Sequence, residues 1–347
     1  MNKTTLRLLR SGALFCALIG LTFYLLLRDQ DLSQLAAVLR TARIPYLLVA
    51  AVCMCVFVLG EAHNIRRGLR LFDYSCRFSQ AVRYALTGFF FSSVTPSASG
   101  GQPMQLLAMC RSGISMSHGV LALLMDFAAF QTVTVSFAAV GFFSHYADLM
   151  QCIGKFKYLF ATGIGLNIVL LAVTLIAIFS RRLSHLLLRA VCGVLHVLHI
   201  KRAAQIERNL SEQLAVYQSS AVYFRQNRPV IARMMLTTVA QITALYSIPY
   251  WIYLSLGLTG HSFWSVLSIQ AVLYVTVSAL PLPGAVGASE SGFLLLFRAI
   301  FPAAALHDAM LLSRGISFYL FVAVSGLAIA CWSLGSADKK ATEKRTG

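Results

Sequence analysis

Charge is scarce in this chain, and acid is scarcest of all. Its 347 residues include 29 Lys and Arg but only 12 Asp and Glu, and charged residues make up 12% of the total. A soluble domain carries about 25%, so an ordinary water-facing surface is excluded. Paired cysteines are also missing. None of the eight forms a CxxC pair, most lie in apolar stretches, and only Cys152 is expected outside, so no disulfide framework is expected. They read as small hydrophobes. His196 and His199 stand three apart, as helical ligands can, but in a basic amphipathic stretch with no third ligand nearby. No metal and no cofactor is therefore assigned. Proline is rare as well, and Pro96, Pro103, Pro281 and Pro283, half of the 8, fall in two short stretches.

What the chain has is apolar length. Hydrophobic residues reach 58% and the mean hydropathy is +0.73. Roughly 20 apolar residues at about 1.5 Å each cross a bilayer core. Spans are expected at about 11–27, 44–60, 117–143, 156–179, 229–257 and 311–333. Lys3, Arg7 and Arg10 precede the first apolar run, as in a signal peptide. The run ends in Leu25-Leu26-Leu27-Arg28-Asp29 with no small-residue cleavage site, so an uncleaved first helix is expected.

The net charge of +17 invites a nucleic-acid reading, but its distribution answers otherwise. Arg66, Arg67, Arg70, Arg77 and Arg83, the basic residues of 181–233 and those of 339–345 all fall on one side of the predicted spans. The other side holds Arg28, Arg40, Arg43, Lys155, Lys157 and Arg298. The positive-inside rule then places both termini in the cytoplasm of a bacterial inner (plasma) membrane. No nucleic-acid partner is needed, and contact with anionic lipid headgroups stays open. The stretch 180–228 reads as an amphipathic helix pair on the cytoplasmic face.

Two segments do not read as simple spans. In 81–109 the break is Thr95-Pro96-Ser97-Ala98-Ser99-Gly100-Gly101-Gln102-Pro103. In 262–301 it is Pro281-Leu282-Pro283-Gly284-Ala285-Val286-Gly287. Proline removes an N–H donor and ends a helix, and glycine admits positive φ. The unpaired backbone groups left behind are tolerated at membrane depth only inside protein or beside a water-filled cavity. The helix restarting after each break aims free N–H groups at that cavity, an anion site in principle. Each segment is too short for two crossings, so both are expected to be re-entrant hairpins. Their opposite orientation predicts an inverted repeat with a site near the midplane. Pro-kinked ordinary helices are the plainer alternative.

At these same residues the chain resembles a known family. The run from Ser92 to Gln105, SSVTPSASGGQPMQ, and the run from Ser278 to Glu290, SALPLPGAVGASE, look like the two signatures of the flippase-like region of lysylphosphatidylglycerol synthases. Ser313-Arg314-Gly315-Ile316-Ser317-Phe318-Tyr319, with Gly326 beyond, is similar to its final-helix pattern. In bifunctional members a soluble lysyl-transferase domain follows. The resemblance implies lipid translocation here and not lipid synthesis, with the aminoacyl-transfer domain expected to be absent.

Buried polar residues supply the candidate sites. Substrate binding is expected from Thr95, Pro96, Ser97, Gly100, Gly101, Gln102 and Gln105 at the first break, and from Pro283, Gly284, Gly287 and Glu290 at the second, with Arg314. Glu290, at the restart of the second half-helix, is favoured there by the helix dipole and would neutralise the anion site until displaced. Arg314 pairs with Glu290 or with a phosphate. Asp126 is either a cavity residue that gates, carries a proton or holds an amine, or half of a structural pair. Coupling or gating is thus assigned to Asp126 and Glu290. Glu61, Arg66 and Arg67 are either an interfacial cluster or a cytoplasmic headgroup-capture site.

The expected fold is an all-α polytopic membrane protein: six spans plus two re-entrant broken helices (eight if counted as spans), as an inverted repeat. It forms one domain over 1–347, with halves at about 1–143 and 156–333 and a cytoplasmic tail at 334–347. The expected function is a lipid flippase or transporter for an anionic or aminoacylated phospholipid or a polyprenyl-phosphate lipid, and not an enzyme. A membrane-embedded headgroup transferase and a non-transporting partner of a lipid-synthesising enzyme are the alternatives.

Overall fold

A computed structural model describes residues 38–40, 42–144, 157–180, 203–278, 280 and 282–332. The predicted first span, Cys16, Cys152, Cys192, His196, His199 and the C-terminal tail lie outside the described residues. Within them the chain is helical: α1 Ile44–Arg70, α2 Phe78–Val94, α3 Gly101–Arg111, α4 Met116–Ser144, α5 Lys157–Phe179, α6 Ala203–Gln226, α7 Arg228–Ser255, α8 Phe263–Ser278 and α9 Ala288–Leu296. The last helix, α10, runs over Ala303–Trp332. Five of these, in α1, α4, α5, α7 and α10, are long and apolar enough to cross a membrane. They coincide with five of the six predicted spans. The protein is an all-α, multi-pass membrane protein.

Its outward faces support this. Leu48, Val52 and Leu59 on α1, Ile168, Val169, Val173 and Ile176 on α5, and Leu320, Val324 and Leu327 on α10 are all exposed. In water such rows would form a large apolar patch; against lipid tails they cost nothing.

The spans α1 and α7 form the axis of the molecule and run antiparallel. Arg43 N donates to Ser255 O at one end, Ser247 faces Cys53 in the middle, and Asn64 reaches Thr238 near the other end. The second end gathers Arg66, Arg67, Arg70, Arg228 and Arg233, the cluster that the charge pattern singles out.

Between these spans lie the two broken segments, and each is a hairpin. In the first, α2 (17 residues, about 26 Å) rises from the basic end and α3 (11 residues, about 16 Å) returns to it. Gly88 faces Gln105 and Ser92 faces Gly101 across the hairpin. A Cβ at Gly88 would collide with the Gln105 side chain, so a larger residue there would push Gln105 away from Glu61. We expect Gly88→Leu to cost about 2–3 kcal/mol, read as a lowered melting temperature in detergent. In the second hairpin, α8 (16 residues) enters from the opposite end and α9 folds back on it, with Gly292 against Leu273 and Val277. Each half is therefore span, hairpin, span: α1, α2–α3, α4, then α7, α8–α9, α10. Antiparallel leading spans and hairpins entering from opposite ends give the inverted repeat expected from the breaks.

Of the predicted amphipathic connector, α6 is described. It packs through Tyr217 and Ala221 against Leu121, Met125 and Met234. Ser220 also hydrogen-bonds the His118 ring, which stacks on Phe72.

Candidate functional site at the meeting of two broken hairpins

The breaks contain the same backbone device. Pro96–Ala98 and Pro283–Ala285 are single 3-10 turns. Thr95 (φ −112°, ψ 146°) and Leu282 (φ −109°, ψ 138°) lead into them. Each turn then places two successive residues in the left-handed region: Ser97 and Ala98 at φ 50° and 55°, Gly284 and Ala285 at φ 57° and 50°. Three of these four are not glycine. Such a conformation costs about 1–3 kcal/mol per residue and persists only where its surroundings enforce it. The two turns pack against each other, so the hairpin tips meet.

The tips differ in charge. At the first, Thr95 Oγ1 accepts from Gly100 N at 2.9 Å and donates to Phe91 O at 2.6 Å. A neutral hydroxyl thus closes the break. At the second, Glu290 and Arg314 do so. Glu290 Oε2 accepts from Gly287 N at 2.6 Å, and Oε1 accepts from Arg314 Nε at 2.8 Å and from Tyr319 Oη at 3.2 Å. Arg314 Nη2 donates to Gly284 O at 3.0 Å, and the guanidinium lies 4.3 Å from the Phe318 ring centre. Both pair members are largely buried, with side chains 11% and 14% exposed.

A π-turn at Gly315–Tyr319 makes this possible. Its i→i+5 hydrogen bonding, from Leu320 N to Gly315 O, widens one turn of α10. Arg314 and Tyr319, five apart, then reach the same carboxylate oxygen. Chemically, the second tip is a helix N-terminus with an arginine beside it, occupied by the chain's own carboxylate. The carboxylate satisfies both the helix end and the arginine from within the chain.

The family described as lysylphosphatidylglycerol synthase TM region matches residues 12–325. The chain belongs to it. A UPF0104 membrane protein of Archaeoglobus fulgidus is 22% identical over 312 residues, which cover 84% of this chain and 88% of that protein. Both breaks, Glu290 and Arg314 lie within the part matched to the lysylphosphatidylglycerol synthase TM region.

The expected site residues divide three ways within this family fold. Pro96, Ser97, Gly100, Pro283, Gly284 and Gly287 lie at the meeting tips, with Pro96, Ser97, Pro283 and Gly287 exposed there. Gln105, expected to offer its amide to a phosphate, is instead buried and donates to Glu61 Oε1 at 2.5 Å. Gly101 is buried in the hairpin, and Gln102 is half-buried one position on. The trio Glu61, Arg66 and Arg67 does not converge. Arg66 Nε donates to Cys76 O, Arg67 donates to Asn64 and Thr237, and Glu61 turns inward. Helical spacing explains this, since positions five and six apart leave a helix on different faces. Asp126 lies within electrostatic reach of Glu61 and beside the Asn64 side chain. Tyr319 belongs to the site and was not singled out in sequence; its one signal is its place in the Ser313–Tyr319 run.

Proposed function

We propose that the protein moves a phosphate-bearing membrane lipid between leaflets, with its basic end in the cytoplasm of the inner membrane. The observation that carries this reading is the Glu290–Arg314 pair lying on the restart of a broken helix where two opposed hairpins touch. A headgroup phosphate can replace the Glu290 carboxylate on Gly287 N–H and Arg314, since it offers the same charge and acceptor oxygens. Glu290 would return when the lipid leaves, resetting the site without trapping the cargo. The acyl tails would stay in the surrounding lipid. Anionic phospholipid, its lysyl derivative and polyprenyl phosphate all carry the required group. The tip carboxylate is taken up by a helix end, an arginine and a tyrosine, an arrangement suited to anion exchange, and this favours translocation over headgroup transfer.

A leaflet-exposure assay in proteoliposomes tests this with fluorescent phosphatidylglycerol, lysylphosphatidylglycerol and a short polyprenyl phosphate. We expect protein-dependent flip of at least one, reduced about tenfold or more in Glu290→Gln, whose neutral amide cannot reset Arg314. Flip of none, with correctly folded protein, would remove the reading. Turnover of headgroups in the same vesicles would point to a transferase.

A further inference from the structure

A second acidic site lies apart from the Glu290–Arg314 clamp, at the junction of α1, α4, α7 and α8. Glu61 comes from α1 and Asp126 from α4, 65 positions along the chain. Folding brings them into each other's electrostatic field. Among the described residues, neither carboxylate has a Lys, Arg or His within ion-pair distance, although the protein is rich in cations. Two unbalanced acids at membrane depth are costly unless something positive joins them.

Around them, two amide oxygens have no donor. From α7, Gln241 is 3% exposed and its Oε1 has no hydrogen-bond partner. That oxygen comes within 3.2 Å of where a Cβ on Gly60, the neighbour of Glu61, would lie. One turn earlier on α7, Thr238 Oγ1 accepts from Asn64 at 2.9 Å, and Asn64 is the residue beside Asp126. Gln241 therefore lies on the α7 face that packs against α1, beside the residue preceding Glu61 and one turn from the Thr238–Asn64 contact. From α8, Tyr274 lies in the field of Glu61. Gln270, one turn before it, also leaves Oε1 unpartnered. Tyr246 of α7 packs 5.5 Å from the Tyr274 ring. From α3, Gln105 Nε2 donates to Glu61 Oε1. Along α1, His63 lies two positions on, against Phe78, Arg66 lies five on and donates to Cys76 O, and Arg67 lies six on. Arg67 is held by Asn64 and Thr237 and faces Arg233.

We propose that Glu61, Asp126 and Gln241 form a site for a small cation, either a proton or an alkali ion, that couples to the cycle. Carboxylate and amide oxygens suit a hard monovalent cation. The site bears on the hairpin through Gln105, whose amide links Glu61 to α3 and packs against Gly88 of α2. Its occupancy is thereby felt by the first broken hairpin. The coupling role rests on the transport reading, whereas the cation site itself does not.

The test uses the purified full chain in detergent without any lipid cargo, so it is independent of the flip assay. Melting temperature is compared in NaCl and choline chloride at equal ionic strength, at pH 6 and pH 8, for wild type, Glu61→Gln, Asp126→Asn and Gln241→Leu. A sodium-dependent rise of about 5 °C, lost in Asp126→Asn and reduced in Gln241→Leu, identifies an alkali ion. A pH response that Glu61→Gln and Asp126→Asn abolish, without any sodium effect, identifies a proton. Equal responses to sodium and to pH in wild type and all variants would overturn the proposal. Should an acid variant fail to fold, Gln241→Leu keeps both carboxylates, and direct binding of radioactive sodium to wild type and to this variant decides the alkali case. Proton binding counted on mixing wild type between pH 8 and pH 6, against Gln241→Leu, decides the other.

Discussion

Arg314→Met is expected to destabilise the protein by about 3 kcal/mol, and more than the double change Arg314→Met/Glu290→Leu. The single change strands the Glu290 carboxylate in a largely buried place, facing Gly287 N–H and Tyr319 but no cation. Removing one member of a buried pair costs about 3–5 kcal/mol, while replacing both by apolar groups is often close to neutral. Arg314 also serves Gly284 O, so the double change still loses one hydrogen bond, worth about 1 kcal/mol. Thermal unfolding of wild type, Arg314→Met, Glu290→Leu and the double variant in detergent gives the cycle. If the single and double variants melt together, the pair is not what holds the second tip. Flip should be absent in both, because each lacks the cation that receives phosphate.

The second large effect is expected at Gly284, with an opposite effect at its counterpart. Gly284 sits at φ 57°, and a Cβ there would run into the Phe318 ring that lies under Arg314. Gly284→Val should therefore cost about 2–5 kcal/mol, combining left-handed strain with overpacking. Ser97, which takes the matching place in the first break, has φ 50° and an exposed side chain. Ser97→Gly should raise stability by up to about 1 kcal/mol, since it relieves a strained backbone and removes no buried contact. Melting temperatures moving in opposite directions would support the equivalence of the two breaks. A loss at both positions would mean that the Ser97 side chain has a role beyond the turn.

These predictions depend on features that differ in how far the sequence announces them. The spans are written in hydropathy, because a bilayer imposes length and apolarity on every crossing. The breaks are written in Pro96, Pro283 and Gly284, whose backbone restrictions act locally. The Glu290–Arg314 pair could be named in advance because both lie in quoted motifs. The convergence of Glu61 with Asp126 could not, since helix rotation and side-chain reach between separate spans leave no local trace. Gln105 was misjudged for the same reason: its partner is on another helix. Tyr319 joined the site through a π-turn that shifts register by one residue, which helical spacing alone does not foresee.

The contact between the hairpin tips also has a consequence for how the protein is made. Each tip carries irregular backbone that lipid cannot satisfy, and each is covered in part by the other. The ribosome delivers Pro96 about 190 residues before Pro283. At about 5–20 residues per second, the first hairpin waits roughly 10–40 s for its counterpart. During that interval it needs a temporary shelter at the insertion machinery, and a nascent chain halted after the first half should remain bound there.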